Sequence, residues 1–210
     1  MTTHFSSRTT LVFGLALLAG IASAGEVTLV GSTLGSFNGN PFTPTGSLLG
    51  LSYSNSTFNN TTTGNMLDLG GNPSPGSNFN NLGSFALDNV DHNYNGNTFQ
   101  VKVTFTAPFT ISGGSTTTFN DIITGTVTNG NGGVFIDFDN TPQTFNYLNG
   151  SESGSFTMAI NDLSIAPNQL GSVTAHVTGF SQPVPEPVSI TGILCGAIGL
   201  IRRKRMTKVA

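Results

Sequence analysis

An all-β fold, an antiparallel sandwich or jelly roll, is what this 210-residue sequence predicts. Three observations predict it. Apolar and polar residues alternate with period two in segment after segment. No stretch of the central region carries apolar residues at helical spacing over ten or more positions. Turn-rich runs of Gly, Asn, Thr and Ser separate the segments at roughly ten-residue intervals, the rhythm of short antiparallel strands.

Taken in chain order, the first segments are short. Residues 27–30, 47–58 and 84–87 read as strands, while 59–81 has few apolar residues and reads as a long loop containing Gly70-Gly71-Asn72-Pro73. The clearest strand lies in 97–111. There Phe99, Val101, Val103 and Phe105 share one face, with Gln100, Lys102, Thr104 and Thr106 on the other, and Pro108 ends it. Residues 122–127 and 133–139 flank Asn129-Gly130-Asn131-Gly132-Gly133, a hairpin signal. In the second of these, Val134, Ile136 and Phe138 alternate with Phe135, Asp137 and Asp139. Residues 144–148, 155–160 and 171–180 complete a set of eight or nine strands. Phe156, Met158 and Ile160 stay in phase in one, and Val173, Ala175 and Val177 in the last. No internal repeat of fixed period appears, so solenoids and propellers drop out.

The ends differ from this middle. The apolar run Leu11 to Ile21 is too short to span about 30 Å of hydrocarbon at ~1.5 Å per residue. Followed by Ala22-Ser23-Ala24 and Gly25, it fits a secretory signal peptide over 1–24, small residues at 22 and 24 suiting a signal peptidase. A buried N-terminal core helix is the alternative. Residues 25–183 then form one exported domain, long enough for a real core. Its acids are Glu26, Asp68, Asp88, Asp91, Asp121, Asp137, Asp139, Glu152 and Asp162 against the single base Lys102, a formal net charge of −8. One base cannot neutralise a row of phosphates, which excludes nucleic-acid binding and adhesion to anionic lipid. The one cysteine, Cys195, lies beyond the domain, so intradomain disulfides, cysteine-ligated zinc and thiol nucleophiles are excluded there.

After 183 the chain runs Val184-Pro185-Glu186-Pro187, an apolar stretch from Val188 to Ile201, and Arg202-Arg203-Lys204-Arg205. Pro187 suits the first turn of a helix and Glu186 the positive end of its dipole. The four bases hold the far end on the cytoplasmic side. Fourteen residues rise about 21 Å, a thin span unless the flanking bases snorkel. Pro185-Glu186-Pro187, the short hydrophobic helix and the terminal basic cluster together resemble the PEP-CTERM sorting domain, here over 184–206. That resemblance implies recognition by an exosortase, a membrane-embedded cysteine transpeptidase that cuts near the motif. The family is associated with envelope and exopolysaccharide-matrix proteins of Gram-negative bacteria. An ordinary C-terminal anchor is the alternative. Leu82-Gly83-Ser84-Phe85 and the run from Tyr94 and Gly96 through Phe99, Val101, Val103 and Phe105 to Pro108 are loosely similar to "choice-of-anchor" β-domains. Those carry no assigned chemistry.

Two acidic groups could carry chemistry. Asp137 and Asp139 share one strand face and, with Asn140, could offer oxygens to Ca²⁺; a solvated strand face beside a turn is the plainer reading. Asp88, Asn89, Asp91 and His92 could ligate a metal or simply form an Asx-turn loop. His176 falls on the polar face of its strand. Gly150-Ser151-Glu152-Ser153-Gly154 imitates a nucleophile elbow but places Glu152 where the nucleophile belongs. A glycosidase cleft usually has aromatic lining, and this chain has no Trp and three Tyr. The expectation is therefore a non-enzymatic exported protein of the envelope or exopolysaccharide matrix, held first at the inner membrane. Its processing partners are signal peptidase and exosortase, and it needs no cofactor. A Ca²⁺-dependent carbohydrate-binding module at the cell surface is the alternative.

Overall fold

The computed structural model describes residues 25–73, 78–149 and 152–183. The expected signal peptide (Ala22, Ala24) and the sorting tail (Pro185, Glu186, Pro187, Val188 to Ile201, Arg202, Arg203, Lys204, Arg205) lie outside the described residues. Gly25 is the first residue within them.

The described chain is all-β. Its strands are β1 (Thr28–Phe37), β2 (Thr45–Leu48), β3 (Leu51–Ser54), β4 (Ser56–Thr61), β5 (Met66–Leu69), β6 (Asn78–Phe79), β7 (Ser84–Leu87) and β8 (His92–Asn93). There follow β9 (Asn97–Ala107), β10 (Thr116–Thr128), β11 (Asn131–Phe138), β12 (Gln143–Asn149), β13 (Glu152–Ile160), β14 (Leu163–Ile165), β15 (Leu170–Ser172) and β16 (Ala175–Pro183). They form three sheets. The largest runs β14-β11-β10-β9-β1-β4-β6, with β8 also bonded to β10; the others run β12-β13-β16-β5 and β15-β7-β3-β2. Pairing is antiparallel except between β4 and β6.

Period-two alternation dictates which face is buried. On β9, Phe99, Val101, Val103 and Phe105 are all buried, and across the ladder so are Phe119 and Ile123 of β10 and Val134, Ile136 and Phe138 of β11. This inward face meets both smaller sheets through aromatic rings. Phe99 lies 4.9 Å from Tyr53 and 4.8 Å from Phe85, ring centre to ring centre. Nearer the other end of β9, Phe105 lies 5.1 Å from both Phe145 and Phe156. Phe and Tyr therefore do the filling that Trp and disulfides do elsewhere, each buried ring worth roughly 1.5–3 kcal/mol. The rings need space, and β1 provides it. A Cβ on Gly35 would sit 2.5 Å from the Tyr53 ring and 2.7 Å from Phe99. The Tyr53 hydroxyl is 2.9 Å from Thr33 Oγ1 and donates to Leu82 O at 2.9 Å. Burial pushes its pKa up.

The hairpin expected at Asn129-Gly130 is present. Thr128 pairs with Asn131, leaving a two-residue turn with positive φ at both positions, 51° and 72°.

The described residues hold sixteen strands where eight or nine were expected, and three segments are corrected in detail. The loop over 59–81 contains β5 and β6, because Leu67 packs on the core and Leu69 is buried despite their polar surroundings. The segment 47–58 holds three strands, turned at Leu49-Gly50, where both φ are positive. The segment 171–180 is two strands in different sheets. At the crossing Val173 leaves the β15 ladder and exchanges backbone bonds with Leu82 and Gly83, both 2.9 Å.

Candidate functional site

The outward face of the large sheet is mostly polar, with Ile122 and Phe135 exposed on it, and the phases of β9, β10 and β11 decide what it shows. With Phe99, Asp121 and Phe138 pointing inward as one cross-strand row, the rows on either side point out. Thr98 pairs with Ile122, which pairs with Asp137. Gln100 pairs with Asn120, whose carbonyl accepts Asp139 N at 3.0 Å. These six residues line a cleft of about 480 Å³ whose floor is the backbone of the inward row. Gln100 Nε2 donates to Asn120 Oδ1 at 2.6 Å. Ile122, 55% exposed, is the one apolar side chain among the six.

The cleft unites Asp137 with Asp139 but not with Asn140. Asp139 accepts Thr141 N at 3.0 Å, and hydrogen bonds from the Thr141 side chain and backbone hold its carboxyl below the usual range. Asn140, with its amide nitrogen as donor, bonds Asp162 Oδ1 at 2.9 Å and Ile160 O at 3.2 Å. Its side chain is engaged with Phe138 O and the β13–β14 connection. Two carboxylates fall short of the 6–8 oxygens calcium takes, so Asn120, Gln100 and water would have to complete the shell. Among the described residues, no group of three or more His, Cys, Asp and Glu side chains is placed to hold a metal.

The second acidic group disperses into turns. Asp88 Oδ1 accepts Val90 N at 3.1 Å, and Asp91 Oδ1 accepts Asn129 N at 2.7 Å. His92 stands on β8, its ring nearly perpendicular to that of Tyr94, 6.2 Å away centre to centre. His176 Nδ1 lies 2.7 Å from Asp68 Oδ1 across β16 and β5, both side chains facing solvent. Beside the expected processing junction at Gly25, the Glu26 carboxylate accepts Thr62 Oγ1, Gly64 N at 2.8 Å and Asn65 N at 3.2 Å. The Thr62 hydroxyl is the main cause of its lowered pKa.

Asp121 is the residue that sequence reasoning missed. It occupies the inward phase of β10 between Phe119 and Ile123, opposite Phe99 and Phe138, only 5% exposed, and neither carboxyl oxygen has a hydrogen-bond partner. Desolvation pushes it up to about 9. It is a neutral acid at pH 7. The signal was available: an Asp two residues from Phe119 and two from Ile123 keeps the apolar phase.

Acid–base hydrolysis needs a protonated and an ionised carboxyl facing one substrate. Here the protonated one points into the core, and Asp139, on the outer surface, is shifted the other way. The cleft instead offers amide donors, carboxylate acceptors and one apolar contact, a set suited to holding hydroxyl groups. Comparison with protein-family models, with curated proteins and with solved structures finds no match to this chain.

Proposed function

We propose that this chain is a non-enzymatic exported protein of the cell envelope or extracellular, exopolysaccharide-rich matrix, with its β-domain delivered by a PEP-CTERM-like tail. The observation that carries the reading is the ordered tail: Pro185-Glu186-Pro187, then Val188 to Ile201, then Arg202 to Arg205, behind the signal-like segment of 1–24. Signal peptidase would cut after Ala24, and an exosortase would cut near the Pro-Glu-Pro motif. The precursor would be anchored in the inner membrane and the product released to the surface or matrix. On this reading the exported domain is a jelly-roll-like β-sandwich, the two four-stranded sheets covering one face of the large one. Aromatic contacts from Phe99 and Phe105 to both smaller sheets support it.

The parts of the tail have separable jobs, which makes the reading testable. A proline-stiffened segment meets a protease cleft at low entropic cost, the apolar run holds it at the membrane, and the bases stop transfer. Replacing Pro185, Glu186 and Pro187 by Ala should leave export intact and trap an unprocessed form in membranes. Truncation at Gln182 should release a soluble form. If wild type and triple variant show the same mass and distribution, the tail is an anchor only.

The cleft favours a second reading, a carbohydrate-binding module at the cell surface, calcium-dependent if Asp137 and Asp139 recruit the ion. Affinity gels containing polysaccharide, run with and without chelator, separate it from the first. Retardation lost in Asn120→Ala and Asp137→Ala would support it.

A further inference from the structure

Both ends of the domain leave from one pole. β1 starts there, with Glu26 tied to Gly64 and Asn65, and β9 ends there, Ala107 pairing with Val30. β16 also ends there, Pro183 pairing with Glu152, which pairs with Asn149. The same pole carries Phe109 and Leu148, 64% and 50% exposed. The segments that carry them are joined: Leu148 N donates to Thr110 O at 3.2 Å, and Ile111 bridges Tyr147. Leu148 pairs with Ser153, so it stands two strand spacings, about 10 Å, from the end of β16.

We propose that this pole, through Phe109 and Leu148, docks on the zwitterionic lipid interface while the chain is anchored. The inference rests on the membrane-anchored tail. Only residues 184–187 separate the described end of β16 from the apolar run, five residue steps that reach at most about 18 Å. An anchored chain therefore holds the pole within that distance of the headgroups, where a Phe and a Leu bury their apolar surface at the headgroup–acyl boundary. Exposed apolar side chains also stand at the opposite pole, Leu49 and Val90. The point of departure of the tail selects between the two. Charge selects the lipid: with Lys102 as its one strong base the domain has no electrostatic hold on anionic headgroups, so the contact is apolar.

The absence of Trp from the whole chain makes the test direct. Single-Trp variants Phe109→Trp, Leu148→Trp and, as the far-pole control, Val90→Trp are purified from membranes as the full chain and reconstituted in phosphatidylcholine vesicles. Flotation reports anchoring; emission wavelength and quenching by brominated phosphatidylcholine report docking. The expected result is flotation of all three, with blue-shifted, bromine-quenched emission at 109 and 148 and neither effect at 90. Two pole variants are used so that a folding defect in one leaves the other to decide. Flotation without quenching at 109 and 148, or with equal quenching at 90, overturns the docking alone. A blue shift that grows with protein density and ignores bromine means a second copy covers the pole, and also overturns it. A chain that does not float overturns the anchoring, and the docking with it.

Discussion

Asp121→Asn replaces a buried carboxyl with a neutral group of the same shape, and its effect should appear as a change in pH dependence. In the folded domain burial pushes Asp121 up to about 9, while in the unfolded chain an Asp ionises near 3.9. Between those values the folded state keeps a proton that the unfolded state has lost, so stability falls as pH rises, by about 1.4 kcal/mol per pH unit. Relative to pH 4, the wild type at pH 7 is weaker by roughly 4 kcal/mol through this residue alone, a large part of the 5–15 kcal/mol typical of a domain. The loss continues to pH 9 and then levels off. Urea unfolding of residues 25–183 at pH 5, 6, 7 and 8, followed by Tyr emission, gives the two profiles. Glu26, Asp139 and the His176–Asp68 pair are common to both proteins, so the difference between profiles isolates Asp121. The wild type should lose about 4 kcal/mol more than Asp121→Asn from pH 5 to pH 8. Any fixed offset, from an amide that is equally unpartnered, does not affect the slope. Parallel profiles would refute the placement of a protonated carboxyl in this core.

Three further outcomes are expected. Gly35→Ala should destabilise the domain by about 1–3 kcal/mol in the same unfolding assay, because its Cβ meets the buried Tyr53 and Phe99 rings at 2.5 and 2.7 Å. Tyr53→Phe should cost about 1–3 kcal/mol by leaving the Leu82 carbonyl without its hydroxyl donor; a neutral effect would mean that water reaches Leu82 O. Millimolar Ca²⁺ or EDTA should leave the melting temperature of residues 25–183 unchanged, since Asn140 is engaged with Asp162 and Ile160; a rise with Ca²⁺ would show that Asp137 and Asp139 recruit the ion without it.

Alternation was the part of the fold most easily read from the residues. Where one face is apolar and the other polar, as in β9, β11 and β13, a slip of one residue would expose the whole core row, so pattern and structure coincide. The signal weakened where strands are only four residues long or lie among amides. β5 has two core contacts, Leu67 and Leu69, between exposed neighbours, and local composition outweighs so small a pattern. The break at Val173 was invisible because the phase Val173, Ala175, Val177 continues through it: the chain changes sheets without changing its inward face. At the candidate site, the shared face of Asp137 and Asp139 followed from period two alone. Gln100, Asn120 and Ile122 required the pairing of β10 with β9 and β11, which is long-range register and has no local trace. Asp121 was overlooked because the expected strand began at 122, one residue too late to place it in phase with Phe119 and Ile123.

The position of β16 has a mechanical consequence. It is bonded to β13 along nine register pairs, from Ala175 to Pro183, and over its first four residues, Ala175 to Thr178, to β5 as well. The cleft on the large sheet lies towards the opposite pole, beside the start of β9. A load between a ligand held there and the C-terminal connection would pull β16 lengthwise, loading its hydrogen bonds in shear, many at once. An edge strand pulled crosswise would open one bond at a time. The nine-pair ladder with β13, reinforced by β5 over Ala175 to Thr178, makes the domain a sound link in tension.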